Sequence, residues 1–242
     1  MRVAALADVH GNATALEAVL AELEREQPDL IVSCGDLTWG ALPRETVALL
    51  EPWRRRTLFV RGNSERELLE HKLLDSDVAR WEHEQHDEAA LRDYVASTRL
   101  HVTVDVDGVG PTLFCHGSPR SDEECVTGVT PAERVEEFTA DVSAACIVTA
   151  HTHMQYDRHV GDTRLLNPGS VGLPYELEPG IAYWALLGPE VELRRTPYDL
   201  EAAIGRMRAA GMPKFDQIEE LMRTPPPQRE IIEHVERLVF SG

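Results

Sequence analysis

Apolar positions in the first sixty residues follow two alternating rhythms. Short apolar runs at 2–7, 30–34 and 57–61 read as buried strands. Between the first two, Leu16, Val19, Leu20 and Leu23 recur at helical spacing, and Thr14 with Glu17 three residues on reads as a capping box. Pro28-Asp29 marks a break, and a second helix is expected from Pro43, a good first-turn residue. Strand–helix–strand repeats with short connections imply a parallel sheet with right-handed crossovers.

The rhythm changes at 64–100, where Glu, Asp, Arg and His dominate among scattered Leu, Trp81 and Tyr94. This stretch reads as two or more helices forming a cap insertion. Strands resume at 100–106 and 112–115 around a Gly108–Pro111 turn, followed by a helix over about 131–141 and a buried strand at 145–150. Residues 163–167, 181–187 and 190–196 read as antiparallel strands, the last two joined by a Gly188-Pro189 turn. Residues 199–242 read as a C-terminal helical extension with one break at Pro225-Pro226-Pro227. No internal repeat is present, and a single domain over 1–242 is the expectation.

Composition narrows the function. Lys and Arg number 24 against 42 Asp and Glu, a net charge of −18. That argues against a grip on a nucleic-acid backbone and against an anionic membrane surface. No apolar run approaches the ~18 residues of a membrane-spanning helix, and Asp8 interrupts the N-terminal run too early for a signal peptide. Cys34, Cys115, Cys125 and Cys146 form no CxxC pair, so a reduced, cytoplasmic chain is expected.

The ionisable residues are not scattered. Asp8 and His10 follow the first expected strand, Gly35-Asp36 the second and Gly62-Asn63 the third. His116 follows the strand at 112–115, and His151 and His153 follow the strand at 145–150. The carboxyl ends of strands form the ligand crevice in open α/β sheets. Each motif alone reads as a turn; their joint placement reads as a metal centre. A single zinc takes about four ligands, so seven such residues suit two divalent cations. Mixed carboxylate, amide and imidazole donors suit Mn, Fe, Co, Ni or Zn, with Mn²⁺ the leading expectation.

The order Asp8-x-His10, Gly35-Asp36, Gly62-Asn63, His116-Gly117 and His151-Thr152-His153 resembles the calcineurin-like metallophosphoesterases, over residues 1 to about 196. The branch it most resembles is the small prokaryotic phosphodiesterases, through Asp8-Val9-His10-Gly11-Asn12 and the Asn-Pro-Gly-Ser-Val-Gly segment at 167–172. The resemblance implies an α/β fold, a two-sheet sandwich flanked by helices in four αββα layers. It implies that Asp8, His10 and His153 hold one metal, that Asn63, His116 and His151 hold the other, and that Asp36 bridges them. The reaction it implies is in-line attack on phosphorus by a hydroxide shared between two cations about 3.5–4 Å apart, with Asp36, Asn63 and His116 as catalytic residues. Two positions depart from many relatives: Ser64 stands where they carry a proton-donating His, and Ala150 where they carry Gly.

Around this set, Arg61 is a candidate for a substrate phosphate, with pairing to local acids as the bland alternative. Asn12 could touch substrate or cap the first helix, Arg120 is a weaker candidate, and Asn167, Gly169 and Ser170 are expected to shape a turn beside the site. His71, His83 and His86 are expected on solvated helix faces, and His101, His159 and His234 in isolation. Cys34 and Cys115 read as packed small residues, and Trp39, Trp53, Trp81 and Trp184 as packing. The expected partner is a small phosphate-ester substrate, a diester or nucleotide-type phosphate, with a homo-oligomer left open. A protein phosphatase and a non-catalytic metal-bound scaffold are the rival readings; a nuclease is disfavoured by the charge.

Overall fold

The computed structural model describes residues 1–70, 76–176 and 178–238. The chain runs β1 (Val3–Leu6), α1 (Ala13–Glu26), β2 (Leu30–Ser33), α2 (Pro43–Leu50), β3 (Thr57–Phe59), and then three helices, α3 (Asn63–Leu69), α4 (Asp77–His86) and α5 (Ala89–Ser97). It continues β4 (His101–Val106), β5 (Gly110–Cys115), α6 (Ala132–Thr139), β6 (Cys146–Val148), β7 (Gln155–Val160), β8 (Thr163–Pro168), β9 (Ile181–Leu187) and β10 (Val191–Pro197). The helices α7 (Leu200–Ala209), α8 (Phe215–Arg223) and α9 (Gln228–Val235) follow.

Two five-stranded sheets result, in orders β10-β9-β1-β2-β3 and β4-β5-β6-β8-β7. In the first, β1, β2 and β3 are parallel, with Val3 opposite Leu30 and Ile31 opposite Thr57, while β9 and β10 run antiparallel. In the second, β5, β6 and β8 are parallel and β4 and β7 flank them antiparallel. The expected strand at 163–167 thus has a parallel neighbour as well as an antiparallel one.

Alternation along the strands explains the layering. On β1, Ala4 and Leu6 pack with Ile31, Phe59 and Trp184 against Leu16, Val19 and Leu23 of α1. Val3, Ala5 and Ala7 point the other way and pack with Val32, Val104, Phe114, Val148 and Leu166 between the two sheets. Both faces of β1 are therefore buried, which is why it reads as an unbroken apolar run. On the far side, Leu113, Ile147 and Leu165 pack against Val135 and Phe138 of α6. The order is helix, sheet, sheet, helix, the sandwich the resemblance implied. Trp184 anchors it, fully buried with its indole N–H donating to Thr196 Oγ1 at 2.8 Å.

Three local expectations are corrected. The first helix begins at Ala13, with Asn12 as its N-cap accepting from Ala15 N–H, so Thr14 lies inside the helix and caps nothing. Strand β7 carried no sequence signal, because Gln155-Tyr156-Asp157-Arg158-His159 on a half-exposed sheet edge has little apolar alternation. The tail breaks at 210–214 as well as at the prolines, and Ile204, Met207, Phe215, Ile218 and Met222 pack with Ala13, Leu42 and Leu173. No helix among the described residues is long and apolar enough to cross a membrane.

Candidate metal centre

Parallel strands end where they began to be useful: Asp8 and His10 follow β1, Asp36 follows β2, Asn63 follows β3 and opens α3, His116 follows β5, and His151 and His153 follow β6. Backbone bonds stitch these loops together. Asp8 N–H donates to the Gly35 carbonyl at 3.1 Å, His10 N–H to Asp36 at 3.0 Å, and Ala150 N–H to His116 at 2.6 Å. Ser170 Oγ donates to the Asp8 carbonyl at 2.7 Å, and Asn167 donates its amide to the Ala150 carbonyl at 2.9 Å. The 167–172 segment is thus a brace behind the ligand loops. Its Gly172 lies so close that an added Cβ would stand 1.7 Å from the Val9 carbonyl oxygen.

The backbone is strained at the same place. Seven described non-glycine residues have positive φ, and five of them are Asp8, His10, Asp36, His151 and His153, at +49° to +65°. The left-handed region costs an ordinary residue about 1 kcal/mol or more and persists where the surroundings over-determine it. Here it aims five side chains out of their strands into one crevice.

All seven candidate ligands meet there. His10 Nε2 lies 3.1 Å from His153 Nε2, and His116 Nε2 lies 3.1 Å from both Asn63 Oδ1 and His151 Nδ1. Asp8 Oδ1 is 3.4 Å from His153 Nε2, while Asp36 sits between, Oδ1 3.6 Å from His116 Nε2 and Oδ2 4.0 Å from His10 Nε2. Asp8 with His10 and His153, and Asp8 with Asp36 and His116, each form a compact buried group able to hold a cation.

Tautomers follow from the outer contacts. His116 Nδ1 donates to the Cys34 carbonyl at 2.8 Å and His153 Nδ1 to the Leu173 carbonyl at 2.7 Å. In neutral rings the Nε2 atoms are then lone pairs, aimed at further acceptors. Asp8 Oδ1 is buried without a hydrogen-bond partner among the described residues, in a cluster with Asp36, His10 and His153. Crowded acceptors of this kind are costly in an empty cavity and are satisfied by a divalent cation. The donor set fits the cations the sequence suggested.

The four rings titrate in opposite directions without a cation: burial lowers His116 and His153, yet the Asp36 and Asp8 carboxylates raise both above the ordinary value, while the other two rings fall. Burial, then the neighbouring His153, push His10 down to about 4, and burial with His116 does the same for His151, also about 4. Both rings are neutral near pH 7, as ligands must be. Burial opposes ionisation of Asp8 and Asp36, yet His153 beside Asp8 and His116 beside Asp36 hold both carboxyls below the ordinary range.

Glu65 was not legible as part of this site. Fully buried, it accepts from Asp36 N–H at 3.0 Å, Leu37 N–H at 3.1 Å, Gly62 N–H at 2.8 Å and Tyr94 O–H at 2.9 Å. It ties the β2 and β3 loops into one unit; the only sequence hint was a Glu on the first turn after Gly62-Asn63. Ser64 donates both N–H (3.1 Å) and hydroxyl (2.6 Å) to Asp36 Oδ1, so this departure from the family pattern positions a ligand. Tyr175 stacks on His153 at 4.8 Å.

The other candidates divide. Asn12 is fully buried as the α1 cap, and its amide donates to the Gly172 carbonyl at 3.0 Å, so its polar atoms serve the fold and the substrate reading for it is withdrawn. Arg120 pairs with Glu124 at 2.9 Å. Arg61 is 30% exposed, its Nε 3.6 Å from Asp122 Oδ2 but without a hydrogen bond among the described residues. His86 is not on a solvated face: it is buried, bonded to Thr38 and to the Glu82 carbonyl. His71 lies outside the described residues. The four cysteines are buried and free.

A family profile described as the calcineurin-like phosphoesterase superfamily domain matches residues 1–187. The chain belongs to that superfamily. A metallophosphoesterase from Sphaerobacter thermophilus is 25% identical, with 93% of this chain and 100% of that one covered at a TM-score of 0.74. A hypothetical protein from Pyrococcus horikoshii OT3 is 20% identical over 93% of this chain and 99% of its own, TM-score 0.78. An archaeal phosphodiesterase shares the fold at 16% identity, covering 81% and 99%, TM-score 0.51. No curated protein sequence matches the chain.

Gly62 gives the first test of the site. A Cβ there would stand 2.0 Å from Asp36 Oδ1 and 2.6 Å from Asp36 N. Gly62→Ala should displace Asp36 and lower divalent-cation affinity about 10- to 100-fold, measured by calorimetric titration of chelator-stripped protein.

Proposed function

We propose that this chain hydrolyses a phosphodiester or nucleotide-type phosphate at a pair of divalent cations, Mn²⁺ foremost. The observation that carries the reading is the convergence of seven candidate ligands from five strand ends on one buried crevice. Asp8, His10 and His153 would hold one cation and Asn63, His116 and His151 the other. Asp36, with one oxygen toward each group, would join them. Cations bound there would lower the pKa of a shared water and neutralise phosphoryl charge.

The chain's own part is to hold these groups still. Ser64 and Glu65 fix Asp36, the Cys34 and Leu173 carbonyls fix two imidazole rings, and no reorganisation is needed as charge develops on phosphorus. The Ser64 hydroxyl is engaged with Asp36, so this position supplies no imidazolium to a poor leaving group. That favours diesters, or esters with good leaving groups, over simple monoesters. The net charge of −18 favours a small substrate over a nucleic-acid polymer. The free cysteines favour a reducing, cytoplasmic location. A full ligand set favours catalysis over a scaffold role.

The test is the rate with bis-p-nitrophenyl phosphate against p-nitrophenyl phosphate, using stripped protein reloaded with Mn²⁺. A clear diester preference is expected. Monoester preference would shift the reading to a nucleotide or protein phosphatase, and turnover of neither would favour the scaffold. Arg61, beside Gly62-Asn63, pairs through its buried Nε with Asp122 and would offer the exposed end of its guanidinium to a phosphate oxygen. Arg61→Ala should raise KM for the diester about tenfold with kcat little changed; an unchanged KM would assign it to Asp122 alone.

A further inference from the structure

The segment after the 167–172 brace carries a side chain that the metal centre leaves unused. Tyr175 is fixed against His153. Its N–H donates to the His153 carbonyl at 3.2 Å, and its ring stacks on the imidazole, centroids 4.8 Å apart and planes at 21°. Two residues back, the Leu173 carbonyl accepts from His153 Nδ1 at 2.7 Å, and the Leu173 N–H donates to Ser170 Oγ at 2.8 Å. The segment therefore grips His153 by its backbone, its ring edge and its ring face. A phenylalanine at 175 would make the same contacts, so the fold does not account for the hydroxyl.

That hydroxyl is available. Tyr175 is half-buried, and its O–H has no hydrogen-bond partner among the described residues, yet it is not sealed from solvent as Asp8 Oδ1 is. Buried phenols usually find a partner within the fold; this one stops at the edge of the crevice. Burial, then the Asp8 carboxylate, raise its pKa above the ordinary value, which puts the phenol oxygen within the field of that ligand. Two other polar side chains at the crevice are engaged already. The Ser64 hydroxyl donates to Asp36, and the Asn12 amide donates to the Gly172 carbonyl.

We infer that Tyr175 is a substrate-binding residue, its phenol O–H donating to a phosphoryl oxygen held at the Asp8, His10 and His153 group. The inference rests on the phosphoesterase reading for the nature of the ligand. The chemistry is complementary: a phosphoryl oxygen is an anionic acceptor, and a hydrogen bond from a neutral donor to it is charge-assisted. The ring is already packed on His153, so little side-chain freedom is lost when the bond forms. Arg61 stands at the strand end before Asn63, a ligand of the other group. Tyr175 and Arg61 would then hold one phosphate from the two ligand groups.

The experiment is calorimetric titration of Mn²⁺-loaded wild type and Tyr175→Phe with inorganic phosphate, beside Mn²⁺ titrations of both stripped chains. The variant keeps the ring stack and the backbone bond, so its Mn²⁺ affinity should equal that of wild type. Its phosphate affinity should fall about tenfold, the effect of one hydrogen bond to a charged acceptor. A phosphate affinity within about twofold of wild type would overturn the inference. So would the absence of phosphate binding by the loaded wild type. A Mn²⁺ affinity lowered in the same proportion as phosphate affinity would also overturn it, by assigning the hydroxyl to support of His153. Phosphate binding needs no turnover. Tyrosine-dependent binding without diester hydrolysis would sink the hydrolase reading alone, and hydrolysis with unchanged phosphate affinity in the variant would sink this inference alone.

Discussion

Asp36→Asn, reloaded with Mn²⁺, should hydrolyse bis-p-nitrophenyl phosphate about a thousandfold more slowly than wild type and bind fewer cations per chain. The substitution is nearly isosteric. Its oxygen can still accept from Ser64 N–H and hydroxyl, so the loop geometry survives. What it removes is charge and one donor atom, at the residue whose two oxygens face the two imidazole groups. The metal-free variant should melt lower than metal-free wild type near neutral pH, because against the cost of burial His116, His10 and the Ser64 hydroxyl hold the Asp36 carboxyl below its ordinary range, so its charged form stabilises the fold. Metal content by elemental analysis, kcat/KM and melting by circular dichroism separate the three effects. Full activity with two metals retained would remove Asp36 from its central place.

The second large effect is structural. Glu65→Ala strips acceptors from three backbone N–H groups and the Tyr94 hydroxyl, all buried. Each unsatisfied donor costs about 1–3 kcal/mol, relieved in part by entering water. A net loss of about 3–5 kcal/mol is expected, a melting point lowered by roughly 10 °C for a chain of this size. Because two of the three N–H groups belong to Asp36 and Gly62, metal affinity should fall with it. Thermal melts of Glu65→Ala and Glu65→Gln check this, the amide falling between. A Glu65→Ala melting point within about 2 °C of wild type, or less than 1 kcal/mol lost, would show that the loops hold without the carboxylate.

The parts of this fold that the sequence foretold are those where one physical requirement dominates. Strands buried on both faces, such as 3–6 and 30–33, must be continuously apolar, and α1 must show one apolar stripe. The clustering of the candidate ligands was legible because strand ends can be located and their residue types are chemically narrow. What escaped was set by tertiary contacts. Edge strand β7 needs no apolar face, and the burial of Glu65, Glu82 and His86 depends on loops they meet across the fold, whereas the Asn12 cap was among the readings the sequence offered. A charged residue on a helix reads as solvated until something covers it, and the cap insertion covers these.

The number of cations the site holds, and the turnover they support, separate a dinuclear hydrolase from the alternatives. Chelator-stripped protein should hydrolyse no diester; titration with Mn²⁺ should restore turnover and saturate at two ions per chain by parallel elemental analysis. Saturation at one ion, or an undiminished rate in the stripped protein, would contradict it.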